Sequence, residues 1–253
     1  MKPETSLPFL KSKASWLAAP LFWLAGVAVL LLVWAVATPG WIQLHFNNNG
    51  ASPVEVATVG FFFFQIGFLW LVPPMRPGRL RPLWLADFSL LSFFAICREL
   101  DWHKLLVMPS RLPGATHGTP FKLRFLLNAN NPLSDRIMVA LCFVLVFSLC
   151  LGTLFYFFRR LVKGLFKFHP VCWSIGFLGG TAILIQFFDR ANSVLRKGFG
   201  IHLSESQYAL ATIMEEGQEL FLPIFVVLAV LQAHFIYVNR QTDDAPLARF
   251  KDL

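Results

Sequence analysis

The sequence predicts an all-α, polytopic transmembrane helix bundle of about six spans, one integral membrane domain over residues 1–253. Three observations carry that expectation. First, 56% of the residues are hydrophobic and only 14% are charged, against about a quarter charged in an ordinary soluble domain, and the mean hydropathy is +0.60. Second, the apolar residues fall into runs of about 20, the length at which a helix crosses a hydrocarbon core of about 30 Å. Third, alternate connecting segments are short and densely basic, as expected where successive spans return to the cytoplasmic face.

The first run covers residues 16–38. Ala35-Val36-Ala37 mimics a signal-peptidase site, but the apolar stretch exceeds the roughly 7 to 15 residues of a signal peptide's core, so it reads as a retained span. The second run is 54–73, where Phe61 to Phe64 are core or lipid-facing filler. The third, 83–99, reaches full length only by including Arg98 and Glu99. Asp87, one turn inside it, is expected to cap the helix or pair with Arg79 or Arg81. The loop 102–135 that follows is broken by prolines and glycines. Its stretch Phe121-Lys122-Leu123-Arg124-Phe125-Leu126-Leu127 mixes apolar and basic residues as a short interfacial element does.

The fourth run is 137–158 and the fifth 171–188. His169-Pro170 reads as the start of the fifth helix, and Gly176, Gly179 and Gly180 as positions of close helix approach. A loop is expected from Asp189 to Ser204. Ser204 with Gln207 three residues on forms a capping box, and Leu203 with Tyr208 the matching hydrophobic staple, so the sixth helix, 208–238, has a defined start. Gln232 and His234 lie near its far end, placed to bond neighbouring helices.

Orientation follows from the basic residues. Lys2, Lys11 and Lys13, then Arg76, Arg79 and Arg81, then Arg159, Arg160, Lys163 and Lys167, and finally Arg240, Arg249 and Lys251 mark one face, while the segment 39–53 holds no Lys or Arg. Both termini are therefore expected in the cytoplasm of a cell whose inner (plasma) membrane holds the chain. The net charge of +8 is accounted for by attraction to anionic membrane lipids, with no call for nucleic acid. Cys97, Cys142, Cys150 and Cys172 fall in or beside spans without CxxC or metal-ligand spacing, and read as small buried apolar residues.

Against this apolar background the acids stand out. Glu215, Glu216 and Glu219 lie roughly 16 to 22 Å along the sixth helix from Ser204, in its outward half. An ionisable side chain at such depth costs a few kcal/mol unless it faces a polar interior or a partner. The third span ends on the same side with Arg98, Glu99, Asp101 and His103, and the fifth with Gln186, Asp189, Arg190 and Asn192. Three helix ends thus converge, and their convergence is the main functional signal. Residues three or four apart share a helix face, which pairs Glu99 with His103 and Glu215 with Glu219.

These residues support a site in which Glu99, His103 and Glu216 ligate a divalent metal such as Zn²⁺, Mn²⁺ or Ca²⁺. Glu215, Glu219 and Asp189 are the candidate acid–base catalysts, and Arg98 and Arg190 would grip an anionic headgroup through bidentate hydrogen bonds. Acids beside arginines also serve as plain interfacial ion pairs, and a histidine at a helix end is commonly solvated. The functional expectation is an enzyme acting on a lipid or lipid-linked substrate at the extracytoplasmic face. The alternatives are a cation- or proton-coupled carrier, or an accessory subunit docking a membrane-protein partner. Transport is weakened by spans one, two and four, which offer almost no polar side chain at mid-depth beyond Gln65. No phosphate-binding GxxxxGK, dinucleotide GxGxxG, HExxH or G-x-S-x-G element is present.

Overall fold

In a computed structural model of the chain, the described residues are 9, 12, 14–47, 52–71, 81–100 and 123–240, and no strand occurs among them. After a 3-10 turn at Ser15–Leu17, nine α-helices follow in order among these residues: α1 (Ala18–Val36), α2 (Pro39–Phe46), α3 (Pro53–Leu71), α4 (Arg81–Glu99), α5 (Leu123–Leu127), α6 (Leu133–Phe166), α7 (Pro170–Phe199), α8 (Glu205–Glu219) and α9 (Phe221–Arg240). Five segments are long and apolar enough to cross a membrane: Ser15–Val36, Pro53–Leu71, Leu133–Phe166, Pro170–Phe199 and Glu205–Ile236. The all-α bundle is as expected. The count differs from six because α4 is 19 residues long but carries Arg81, Asp87, Arg98 and Glu99, which leave it too polar to join the five.

Local chemistry sets the helix ends. Thr38 caps α2 by accepting from the Trp41 amide at 3.3 Å, with Pro39 at the first helical position, where no N–H is needed. A helix thus stands where the composition of residues 39–53 reads as a loop. Ser52 and Glu55 form a reciprocal capping box at the start of α3, with the Glu55 amide donating to Ser52 Oγ at 3.1 Å and the Ser52 amide to Glu55 Oε2 at 2.8 Å. His169 precedes Pro170 at the start of α7 as expected, and burial pushes its imidazole down to about 4, so it enters this turn uncharged. The capping box of Ser204 and Gln207 is present at the start of α8.

Two boundaries depart from expectation. Asp189 to Ser204 is not one loop: α7 continues to Phe199 and ends at Gly200, whose φ of 68° only glycine adopts without strain. The last long helix is interrupted between Glu219 and Phe221. Pro223 has no N–H to return to the carbonyl of Glu219 four residues earlier, which breaks the ladder at that point.

The bundle is centred on α7 and α9, with α1 laid against α7 and α8. Phe221, Phe225, Ile213, Ala19 and Leu30 form its main apolar cluster, and the Phe22 ring meets those of Phe221 and Phe225 edge-on at 5.4 Å. At the far end, Gln232 is fully buried, donating to the Ser15 carbonyl at 2.9 Å and accepting from Ser174 Oγ at 2.7 Å. Asp87 bonds across to α6, accepting from Thr153; the Arg79 alternative and the Arg81 side chain lie outside the described residues.

Close approach is made at other glycines than expected. A Cβ on Gly179 or Gly180 would meet nothing within 4 Å, whereas one on Gly26 would run into the Phe221 ring and one on Gly217 into Leu30; of the three expected positions only Gly176 is tight, 3.0 Å from Leu165. Gly26→Ala is therefore expected to destabilise the fold by about 1–3 kcal/mol through overpacking. A thermal-unfolding midpoint in detergent checks this, with Gly152→Ala as the control, because a Cβ there meets nothing within 4 Å.

Candidate functional site

Glu99 closes α4, and Glu216 and Glu219 sit three residues apart on one face of α8. Contact between these elements brings carboxylate oxygens of Glu99, Glu216 and Glu219 to within 4.8 Å of one another. The Glu99 and Glu219 side chains are 7% and 4% exposed, and Glu216 is half-buried. Arg98, half-exposed, donates from Nη2 to Glu219 Oε1 and places Nε 3.4 Å from Glu99 Oε1. One guanidinium thus spans both helices. On another side of α8, Gly217 lets Leu30 of α1 pack tightly, which fixes the rotation that aims Glu216 and Glu219 at α4.

Glu55 is a fourth acid of this neighbourhood, absent from the sequence expectation. It is buried, it caps α3 through Ser52, and its charge acts on both Glu99 and Glu216. Its sequence signal was the Ser52-Pro53-Val54-Glu55 capping pattern, which names a helix start without telling which neighbours the acid meets. Among the described residues Arg98 is the one basic side chain paired with these acids, so carboxyl groups outnumber their counter-charge and offer oxygen donors to a cation.

The other expected residues lie around this centre. Glu215 is half-buried and feels the charges of Asp189, Glu219 and Arg98. Asp189 and Arg190 are exposed on α7, and Arg190 makes no ion pair among the described residues. They form a rim, not part of the close triad. The pairing of Glu99 with His103, and Asp101 between them, lies outside the described residues. Gln218, fully buried between Gly217 and Glu219, has no hydrogen-bond partner for either amide atom among the described residues, where an amide so placed normally pairs with protein or water.

Polar groups continue inward from the acids along α3 and α4. Thr58 donates to the Val54 carbonyl at 3.0 Å, and Gln65 Nε2 donates to Ser92 Oγ at 2.7 Å. Beyond them the face turned to α9 is apolar, with Leu69, Leu85, Val226 and Val230 packed together, while Ser89 and Asp87 on other faces of α4 accept from Trp70 and Thr153.

Chemically, three carboxylate oxygens are hard donors matched to Mg²⁺, Mn²⁺, Ca²⁺ or Zn²⁺. Ligands about 2.0–2.6 Å from one ion lie no more than about 5 Å apart, a condition the triad meets. The ligand set that the geometry favours is Glu99, Glu216 and Glu219, which moves Glu219 from the expected acid–base group to the metal group. Comparison with family models, with curated proteins and with solved structures finds no match to this chain.

Proposed function

We propose that the chain is a membrane enzyme in which Glu99, Glu216 and Glu219 hold a divalent cation and which acts on the polar headgroup of a lipid or lipid-linked substrate at the extracytoplasmic face. The observation that carries this reading is the gathering of three carboxylates from the ends of α4 and α8 within 4.8 Å, against an apolar bundle. A bound cation would supply Lewis-acid polarisation of a substrate oxygen or a water made nucleophilic near neutral pH. Arg98, half-exposed and with N–H groups beyond those used on the glutamates, is placed to receive an anionic headgroup. Glu215, beside Asp189 on the rim, is the candidate to accept or return a proton.

One feature favours an enzyme over a carrier. On the face turned to α9, the polar row from Glu99 through Ser92 and Gln65 gives way to apolar packing, where a carrier needs continued polar surface. The sidedness of the site rests on the end of α6 bearing Arg159, Arg160 and Lys163, which lies against the start of α7 through Cys172 and the Arg160 carbonyl, where Ser174 meets Gln232, 13 residues or about 20 Å beyond Glu219. Positive residues favour the cytoplasm, so the acids belong outside.

The test is elemental analysis of the purified full-length protein after dialysis against buffer containing Mn²⁺, Zn²⁺ or Mg²⁺. A stoichiometric divalent metal, removed by a chelator and restored on reloading, is the expected result. Protein that stays metal-free under every one of these conditions overturns the proposal.

A further inference from the structure

An apolar groove runs along the lipid side of the bundle between α3 and α9, lined by Phe61, Phe64, Pro223, Ile224 and Val227 with a volume of about 250 Å³. Ala57 and Gly60 extend it over the same two phenylalanines into a shallower depression of about 390 Å³. Its position relative to the acids follows from helix register. Pro223 lies four residues and Val227 eight residues beyond Glu219, about 6 and 12 Å along the axis, and Ala57 lies two residues beyond Glu55. The groove thus begins just below the carboxylates and descends about half the depth of a hydrocarbon core.

Three features of the groove say what fills it. All of its lining side chains are apolar, so it offers nothing to a headgroup or an ion. It opens sideways from two helices long and apolar enough to cross a membrane, at a depth where hydrocarbon is the surrounding solvent. It is also shaped by two residues that withhold bulk or continuity. Gly60 leaves its Cβ position open, with nothing within 4 Å, and Pro223 breaks the helix between the acids above and the groove below. A bilayer lipid could slide its chain into this groove while its headgroup stays level with Arg98 and the carboxylates.

We infer that the α3–α9 groove binds one hydrocarbon chain of the substrate lipid, seating its headgroup over the Glu99–Glu216–Glu219 centre. The inference rests on the proposed function for the headgroup end, and it narrows the substrate to an amphiphile carrying at least one long hydrocarbon chain, presented from within the bilayer. Soluble headgroup analogues without a chain would then be poor substrates.

The experiment uses the full-length protein in vesicles of phosphatidylethanolamine and phosphatidylglycerol, the latter carrying a photoactivatable diazirine midway along one acyl chain, with cross-linked peptides located by mass spectrometry. Labelling is expected to concentrate on the α3 and α9 peptides that line the groove. Gly60→Leu, at a position whose Cβ meets nothing within 4 Å, puts a side chain into the groove and should lower that labelling about tenfold, equivalent to the loss of about two buried methylenes. Gly152→Leu, on α6, equally open and away from the groove, should leave it unchanged. Labelling spread evenly over α6 and the groove, or lowered equally by the two variants, overturns the inference. So does a cross-link joining the groove to a second polypeptide, which would make it a protein interface. Metal content is measured on the same samples. Groove labelling with no bound metal removes the metal-enzyme reading and leaves the chain site standing, whereas bound metal without groove labelling removes the chain site alone.

Discussion

Glu219→Gln should weaken divalent-cation binding by at least about a hundredfold. Two charges about 4 Å apart interact by about 4 kcal/mol at an effective dielectric of about 20, and roughly 1.4 kcal/mol is a factor of ten. Discounting the interaction by about a third for residual solvation still leaves about two decades. The substitution also releases Arg98 from its strongest partner, so a cation approaching the site meets a guanidinium that is no longer neutralised, and the penalty grows. Glutamine keeps the shape and volume of the side chain, which confines the effect to charge and ligation. Titration of the apo-protein with Mn²⁺ by calorimetry, together with metal retention after dialysis, reads the change. A Glu219→Gln protein that folds and still binds the ion with parental affinity would show that these acids are ion-pair scaffolding. Glu55→Gln should weaken binding much less, because the Glu55 carboxylate is committed to the Ser52 amide.

Much of this arrangement was legible in the sequence, and what was not has a physical reason in each instance. Composition and run length fix helices in an apolar solvent, and the Ser204 and Gln207 pair fixes the start of α8, because both are local signals. That acids from the third and last long helices would meet was also readable, since charges at bilayer depth need one another or a cation. Which acids meet was not. On α8 the pairs Glu215 with Glu219 and Glu216 with Glu219 are both within one face by period, and the choice falls to Glu216 with Glu219 because Gly217 seats α1 and sets the helix rotation. Glu55 was missed because a capping acid is a complete explanation at the level of sequence. The continuation of α7 through Asp189 to Phe199 was missed because polar residues after an apolar run read as a loop, although nothing before Gly200 breaks a helix.

Arg98→Gln separates a metal centre from a salt bridge by the sign of its effects. Without metal, the variant leaves the Glu219 carboxylate, 4% exposed, beside Glu99 and Glu216 with no counter-charge. Removing one partner of a buried pair costs about 3–5 kcal/mol, and with Arg98 itself 53% exposed a discounted value of about 2 kcal/mol is expected in the metal-free protein. With metal the sign turns over. Arg98 competes with the ion for Glu219, so removing it should tighten Mn²⁺ binding by about fivefold to tenfold, the equivalent of about 1 kcal/mol for a half-solvated charge. Saturating metal should then restore most of the lost thermal stability, because a ligand that binds only the folded state stabilises it in proportion to its occupancy. Activity should nevertheless fall, with KM rising more than kcat declines, if the guanidinium holds the substrate's headgroup in the ground state as well as the transition state. A variant destabilised equally with and without metal, its Mn²⁺ affinity unchanged, would leave Arg98 as a helix clamp between α4 and α8 and take the cation out of the site.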